Sequence, residues 1–333
     1  MVFVAVVCEL RHFSMRARHW TTVMAVTGKQ FDVNNMQMMV LRDMWNMELH
    51  KNADPLQDIA DQAKAEAKME KQLATMESAW NKVELEYELH VSMGENTEPV
   101  YKAKLTDEDF EMLEQHQMDV QSMLASRFLA PFENQVVHWQ KSLANVNEIM
   151  GLLGQVTKKW AFLENLFIYS SEVKTELPES SAAFVDIHEA VKEQLGSCFS
   201  ARREARGEGP MAWCNSDGKF DQLDRIMTNL NICEKALNSF MKDKKRAFAR
   251  FYFISSSDLI NILANGNNPE LVNKQFSKIF PCIREYTLKT FQGDDRPTAV
   301  GLTDDRGNEY VPFPQSMQKK LTGKVEIYLD NCI

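Results

Sequence analysis

The stretch from Cys233 to Glu270, CEKALNSFMKDKKRAFARFYFISSSDLINILANGNNPE, is the most informative part of this 333-residue chain. Its local signals predict a helix, an extended apolar run at Phe251–Ile254, and a short helix capped by Ser256 or Ser257. An Asn-Gly pair then ends the short helix, and Pro269 begins another. None of these segments carries a catalytic signature, so the function of this stretch has to be inferred together with the rest of the chain.

Composition favours a helical, globular protein. Hydrophobic residues make up 44% and charged residues 26% of the chain, whereas Gly (13) and Pro (10) are few. That balance favours long helices over an all-β fold. The net charge of −9 argues against nucleic-acid and anionic-membrane partners, because attraction to phosphate needs the opposite sign. The six cysteines have no CxxC pair and predict free thiols rather than disulfides: Cys8, Cys198, Cys214, Cys233, Cys282 and Cys332.

Apolar spacing predicts several long helices. One begins at Asp54-Pro55 and carries a stripe with spacings of three and four from Met69 to Tyr87. A second begins at Thr106, with Asp109 completing a capping-box pattern. The most regular region repeats at three and four with one slip near Leu153, and its apolar positions are Val136, Trp139, Leu143, Val146, Met150, Leu153, Val156, Trp160, Leu163 and Phe167.

The second half predicts a loop, one more long helix and a small sheet. Residues 200–218 have no apolar period and read as a surface loop, and the next helix carries apolar positions from Leu223 to Phe240. After Pro281 the pattern alternates at 286–291, 298–303, 309–313 and 325–329, which predicts antiparallel strands. Residues 305–308 form the predicted hairpin turn.

These signals predict a mainly α fold: an elongated rod of antiparallel helical bundles with a small antiparallel β-hairpin unit near the C-terminus. We divide the chain into an atypical N-terminal extension (1–15), helical bundles (16–281) and the small β-unit (282–333).

The sequence offers no catalytic, cofactor-binding or metal-binding residue. A phosphate loop needs Gly-x4-Gly-Lys-Ser/Thr, and the Gly-Lys pairs at Gly28, Gly218 and Gly323 lack both the upstream Gly and the following Ser or Thr. His188-Glu189 begins like a zinc-protease helix, but Lys192 stands where the second His is needed. We therefore expect no nucleotide site and no enzyme activity in this chain.

The apolar run Phe251–Ile254 fits an element buried on both sides where helical bundles meet. The candidate subdomain junction consists of Arg250, Phe251, Tyr252 and Phe253. The alternative is an exposed aromatic patch for a partner. The basic run before it, Lys242–Arg250, fits cations at a helix C-terminus better than a nucleic-acid patch. We accordingly expect substitution of Lys244 or Lys245 by Ala to change stability little.

Several strings, in order, resemble the linker region of dynein heavy chains. The strongest is Arg-Phe-Tyr-Phe-Ile-Ser-Ser-Ser-Asp-Leu at 250–259, followed by Ile-Leu-Ala-Asn-Gly-Asn-Asn-Pro at 262–269. The strings Cys-Glu-Lys-Ala-Leu and Ser-Ser-Ser-Asp-Leu resemble axonemal outer-arm heavy chains more than the cytoplasmic dynein heavy chain. The other matching strings are Arg18-His19-Trp20 with Met24, Thr27 and Gly28; Leu49-His50-Lys51; Met69-Glu70-Lys71; Trp80; Leu85-Glu86-Tyr87; Met123-Leu124-Ala125-Ser126; Trp139-Gln140-Lys141-Ser142-Leu143; Trp160 with Leu163-Glu164; and Phe167-Ile168.

The resemblance implies a mechanical role. The dynein linker is a helical lever that moves across a ring of AAA+ modules to drive minus-end-directed, ciliary movement along microtubules. Implied partners are that ring, the dynein intermediate and light chains through the parent complex, and microtubules only through the stalk, with no nucleic acid and no membrane. ATP and Mg would bind the AAA+ modules, and the expected location is the cytoplasm and cytoskeleton, in a cilium or flagellum axoneme. Within this picture we expect the hairpin turn to contact the ring, through Asp304, Asp305, Arg306, Gly307 and Asn308.

Three features depart from the family. Residues 1–15 do not resemble it, and Ala249 stands where the family usually has Pro. The chain stops at Ile333 before any AAA+ module, which predicts a fragment or a truncated gene product. A passive helical scaffold of the spectrin type remains the alternative function.

Overall fold

The computed structural model describes residues 2–30, 41–46, 48–91, 99–202, 209–266, 268–291, 296–307 and 309–330. The chain forms two compact units. Unit 1 consists of Met1–Leu85, Leu105–Glu148 and Arg202–Ser216, and unit 2 of Glu86–Lys104, Ile149–Ala201 and Asp217–Ile333. The predicted mainly α class with small antiparallel β-units is confirmed. The division at 15/16 and 281/282 stays a prediction.

Helices dominate both units. Their bounds are α1 (Val2–Leu10), α2 (Ala17–Thr27), α3 (Leu41–Asn46), α4 (Ala53–Trp80), α5 (Asp107–Leu124), α6 (Glu133–Phe167), α7 (Ser171–Glu176), α8 (Pro178–Ser200), α9 (Pro210–Cys214), α10 (Lys219–Ala247), α11 (Ser256–Ala264), α12 (Pro269–Asn273), α13 (Phe276–Ile279) and α14 (Val325–Asp330). Single 3₁₀ turns span Leu49–Asn52, Ala249–Phe253 and Gln315–Met317.

The helix predicted from Asp54-Pro55 is α4, with Asn52 as its N-cap residue. Its stripe is buried as far as Trp80, which confirms the 3.6-residue period over that length. The expectation that the helical stripe continues to Tyr87 is wrong. The helix ends at Trp80, and Tyr87 lies in strand β1 (Glu86–His90), where it pairs with Ala103 of β2 (Val100–Lys104).

The N-terminal helix α1 is part of unit 1. Val6 and Leu10 are buried in one apolar cluster with Val23, Leu49, Leu56 and Ile59. The segment that the sequence set apart as an atypical extension therefore contributes core side chains to unit 1 from Val6 onward.

Helix α5 begins as the sequence predicts. The Thr106 hydroxyl accepts a hydrogen bond from the Asp109 backbone N–H at 3.1 Å, and the Asp109 carboxylate accepts one from the Thr106 N–H at 3.4 Å. This reciprocal pair satisfies two backbone donors that the first helical turn leaves open.

The most regular sequence region forms the longest described helix. The 35-residue α6 buries the predicted apolar face, including Leu143, Leu153, Trp160 and Phe167. The boundary between the two units falls inside this helix, between Glu148 and Ile149.

Unit 2 contains two sheets. The first is the hairpin β1–β2, which packs on α8, and α8 in turn packs on α10. The second holds β3 (Ile283–Lys289), β4 (Thr298–Asp304), β5 (Tyr310–Pro312) and the two-residue β6 (Lys319–Lys320), with β4 pairing antiparallel to all three others. The first three strands were predicted. The hairpin β1–β2 and β6 were not.

The predicted strand at Val325–Leu329 is wrong, because these residues form helix α14. Val325 and Leu329 are both fully buried. A spacing of four residues places two side chains on one helix face, whereas alternation in the sequence had suggested a strand.

Candidate functional site

The run Arg250–Phe253 lies in the 3₁₀ turn Ala249–Phe253 and is not an extended segment. Phe251 is fully buried, but Tyr252 is 60% and Phe253 80% exposed, so burial on both sides is also wrong. A 3₁₀ turn repeats every three residues. Phe248, Phe251 and Ile254 consequently share the inner face and are all buried, while the two aromatics between them face solvent.

The inner face of this turn is held by aromatic contacts. The rings of Phe248 and Phe251 meet edge to face, with centroids 4.9 Å apart. The guanidinium of Arg250 lies over the Phe280 ring at 4.8 Å. These contacts anchor the backbone of the turn that carries the exposed Tyr252 and Phe253. Its assignment as a subdomain junction stays a prediction.

The predicted hairpin turn connects β4 and β5. The Asp304 backbone N–H donates to the Glu309 carbonyl oxygen at 3.1 Å. The Glu309 backbone N–H donates to the Asp304 carboxylate at 2.9 Å. Gly307 has φ +72°, a left-handed conformation that favours glycine. Asp305 and Arg306 are exposed. Asn308, the fifth predicted contact residue, lies outside the described residues.

Lys244 is buried, contrary to the expectation that its side chain matters little. Its ammonium donates to Glu326 at 2.7 Å and to Glu172 at 2.9 Å, which joins α10, α14 and α7. Burial lowers the pKa of Lys244, but the two carboxylates outweigh that effect and raise the pKa above its ordinary value. We call Lys244, Glu172 and Glu326 the lysine clasp.

A second ion pair lies beside the lysine clasp. Lys324, just before α14, pairs with Glu176 of α7, and this hydrogen bond lowers the pKa of Glu176. Gly266 approaches the same place closely: a Cβ there would lie 3.0 Å from a Glu172 carboxylate oxygen. Helix α14 is therefore tied to α7 by two separate ionic contacts.

Unit 1 buries a carboxylate in a comparable way. Glu66 is 1% exposed and accepts hydrogen bonds from Arg18 at 2.6 Å and Gln62 at 2.7 Å. Its carboxylate also lies 2.9 Å from the Nε2 atom of His19. Burial raises the pKa of Glu66, but these hydrogen bonds prevail and lower it. We call Glu66, Gln62, Arg18 and His19 the glutamate node.

Two histidines, His90 and His188, lie beside a third buried carboxylate, Glu164, in unit 2. Glu164 lies 2.5 Å from His90 Nε2 and 3.8 Å from His188 Nδ1. Trp160 donates its indole N–H to His188 Nδ1 at 3.1 Å. Burial lowers the pKa of His188. Because His90 lies on β1 and Glu164 on α6, this contact ties the unpredicted hairpin to the long helix.

The three Gly-Lys pairs mark helix boundaries. Gly28 is the C-cap of α2 and Gly218 the N-cap of α10, both with left-handed backbone (φ +66° and +70°). Gly323, with φ +89°, lies just before α14. The positive φ angles explain why glycine occupies these three positions, without a phosphate-binding role.

The described residues contain no group of three or more His, Cys, Asp or Glu side chains placed to hold a metal ion. Cys198 and Cys233 are buried free thiols, and burial raises the pKa of Cys198 to about 12. Among the described helices, none has the length and apolar run that crossing a bilayer requires.

Comparison with known proteins gives a consistent result. The family described as dynein heavy chain, N-terminal region 2, matches residues 2–333. That range includes residues 2–15, so the expectation that this segment does not resemble the family is wrong.

Individual relatives agree. The chain is 37% identical to the dynein alpha chain of the flagellar outer arm of Chlamydomonas reinhardtii over 100% of its own length. It is 31% identical to human dynein axonemal heavy chain 17 over 98%, and 33% identical to the ciliary dynein beta chain of Heliocidaris crassispina over 97%. In each case it spans 7% of the relative's length. The chain therefore belongs to the dynein heavy-chain family and corresponds to its N-terminal region 2.

Proposed function

We propose that this chain is the mechanical linker segment of an axonemal dynein heavy chain, a lever that moves across an AAA+ ring. The observation that carries the proposal is the family match over residues 2–333, with axonemal, ciliary and flagellar relatives. The heavy chain it serves would be an ATP-driven motor that moves along microtubules in a cilium or flagellum.

Helix length supports a lever. Helices α4, α6 and α10 have 28, 35 and 29 residues. At 1.5 Å per residue, α6 is about 50 Å long. Long helices of this kind are the elements from which a lever would be built.

ATP and Mg would act outside these residues. The sequence has no Gly-x4-Gly-Lys-Ser/Thr motif to surround phosphates with backbone N–H groups. Titration calorimetry of the 333-residue chain with Mg-ATP tests this part, and we expect no saturable heat. Saturable binding in the micromolar range would contradict it.

A chimeric motor tests the lever. The matching segment of the Chlamydomonas alpha chain is replaced by this chain, or, as a control, by spectrin-type helical repeats of equal length. We expect the first chimera to glide microtubules and the second to hydrolyse ATP without gliding. Parental gliding speed with the spectrin-type control would contradict the lever and favour a passive scaffold.

The hairpin turn at Asp304–Asn308 is proposed as a contact to the ring. Its exposed polar residues and its position on a small sheet support this assignment. In the first chimera, replacing the turn by a Gly-Ser turn is expected to reduce both ATPase rate and gliding speed. Unchanged values would remove the turn from the proposed interface.

A further inference from the structure

Two exposed aromatics in unit 2 lie on a turn whose neighbouring residues are buried. Phe253 is 80% and Tyr252 60% exposed. Both belong to the 3₁₀ turn whose neighbouring residues Phe251 and Ile254 are buried. Because the buried neighbours anchor the backbone on either side, covering these rings with a partner costs little backbone entropy.

The helix that precedes this turn carries several cations near its C-terminal end. Lys242, Lys245 and Arg246 have the spacing i, i+3 and i+4 on α10 and therefore share a helix face. The Lys245 ammonium lies 5.9 Å from the centre of the Tyr252 ring, which joins this face to the aromatics. Asp243 is the acidic neighbour, and it pairs with Arg246 at 3.2 Å. We call Lys242, Lys245, Arg246, Tyr252 and Phe253 the basic–aromatic surface.

The sign of this charge departs from that of the chain as a whole, whose net charge is −9. A local positive cluster on an acidic protein attracts an acidic partner to that one place and leaves the rest of the surface repulsive. The exposed Phe253, next in sequence to Tyr252, supplies the apolar anchor that charge pairing alone lacks.

We propose that the basic–aromatic surface binds an acidic protein segment that carries an apolar or aromatic side chain. The acidic residues pair with Lys242, Lys245 and Arg246, and the apolar side chain packs on Phe253 and Tyr252. Extended phosphate surfaces fit less well, because the net charge of the chain repels them. The inference does not depend on the lever, since it concerns binding by the chain alone.

Fluorescence anisotropy tests the proposal with the 333-residue chain and a labelled Glu-rich peptide that has one central Phe. We expect binding that weakens with added salt, since exposed charges are screened. Loss of an aromatic anchor weakens an interface by roughly 30-fold, which is the change expected for Phe253→Ser or for a peptide with Ser in place of Phe. The double variant Lys242→Glu/Arg246→Glu is expected to weaken binding and to remove most of the salt dependence.

Matched controls separate this surface from general effects. Phe13→Ser removes an equally exposed Phe (83%) in unit 1, and Lys68→Glu/Lys158→Glu makes the same charge change on exposed positions of α4 and α6. Both controls are expected to bind like the parent chain. No peptide binding, or equal loss in the controls, overturns the proposal. Binding of anionic vesicles or a single-stranded oligonucleotide that depends on Phe253 while the peptide does not bind also overturns it.

Discussion

The glutamate node of unit 1 and the lysine clasp of unit 2 are opposite solutions to one problem. In the node, a buried carboxylate lies among basic and amide groups, Arg18, His19 and Gln62. In the clasp, a buried ammonium lies between two carboxylates. Burial disfavours either charge, yet the pKa of Glu66 is lowered and that of Lys244 is raised. In both places the partners outweigh the loss of hydration.

The two regions differ in charge balance. The Arg18 side chain is 44% exposed, so water also hydrates the cation that pairs with Glu66. The clasp holds one positive and two negative groups, all largely buried, and Glu326 Oε2 has no hydrogen-bond partner among the described residues. The clasp therefore depends more strongly on its single central cation, and variants can test that difference.

Lys244→Met is expected to have the largest effect. It keeps much of the side-chain volume but leaves Glu172 and Glu326 buried without their cation. Breaking a buried ion pair by removing one partner costs about 3–5 kcal/mol. Denaturant unfolding measures the loss, and amide hydrogen exchange is expected to rise in α7, α10 and α14. The control Lys242→Met removes an exposed cation from the same helix, and equal stability of the two variants would contradict the clasp.

Phe251→Ala is an uncharged reference in the same unit, and its expected loss of stability is similar to that of Lys244→Met or slightly smaller. Deleting a fully buried Phe costs about 3–5 kcal/mol. The matched change Phe253→Ala removes an 80% exposed ring and is expected to shift the unfolding midpoint little. Comparable losses for Phe251→Ala and Lys244→Met would mean that charge compensation matters as much as aromatic packing in unit 2. Equal unfolding midpoints for Phe251→Ala and Phe253→Ala would contradict the assignment of Phe251 to the buried face and Phe253 to the exposed face of the 3₁₀ turn.

Glu66→Gln is expected to cost less, about 1–3 kcal/mol, because it weakens charge-assisted hydrogen bonds to Arg18 and His19 while keeping their geometry. Arg18 is partly exposed and can be hydrated in the variant. The control Glu70→Gln, on the same helix as Glu66, disrupts an exposed pair with Arg16, the residue before α2. Surface pairs of this kind contribute roughly 0–1 kcal/mol. A loss at Glu66 no larger than at Glu70 would place the node among surface ion pairs.

The sequence predicted what periodicity and local capping determine. The helices α4, α5, α6 and α10 follow from apolar spacing, and the reciprocal Thr106–Asp109 contacts follow from a four-residue pattern. These features involve residues close in the chain, so a single sequence contains the information. Short segments were less certain: 325–329 alternates like a strand, but its two buried ends also fit one turn of helix.

The ionic regions could not be predicted because their partners are distant in sequence. Lys244 lies 72 residues from Glu172 and 82 from Glu326, and a basic run at a helix end normally faces solvent. Arg18 and Glu66 are 48 residues apart.

The buried face of the 3₁₀ turn could have been recognised from the sequence, because its signal is local. Phe248, Phe251 and Ile254 follow a three-residue spacing, which predicts the buried face of such a turn.

The smallest and most specific expected effect is a difference in pH dependence between the two regions. The native pKa of Glu66 is lowered from 4.5, so its contribution is complete above pH 4.5 and is lost as pH falls through the native pKa. The native pKa of Lys244 is raised from 10.5, so its contribution is complete below pH 10.5 and is lost as pH rises through the native pKa. Because many other groups titrate at both extremes, the measured quantity is the difference in unfolding free energy between parent and variant. That difference is expected to shrink in acid for Glu66→Gln and in alkali for Lys244→Met, as followed by denaturant unfolding across both limbs. A Lys244→Met difference that does not shrink in alkali, or a Glu66→Gln difference that does not shrink in acid, would contradict the mirror relation between the two regions.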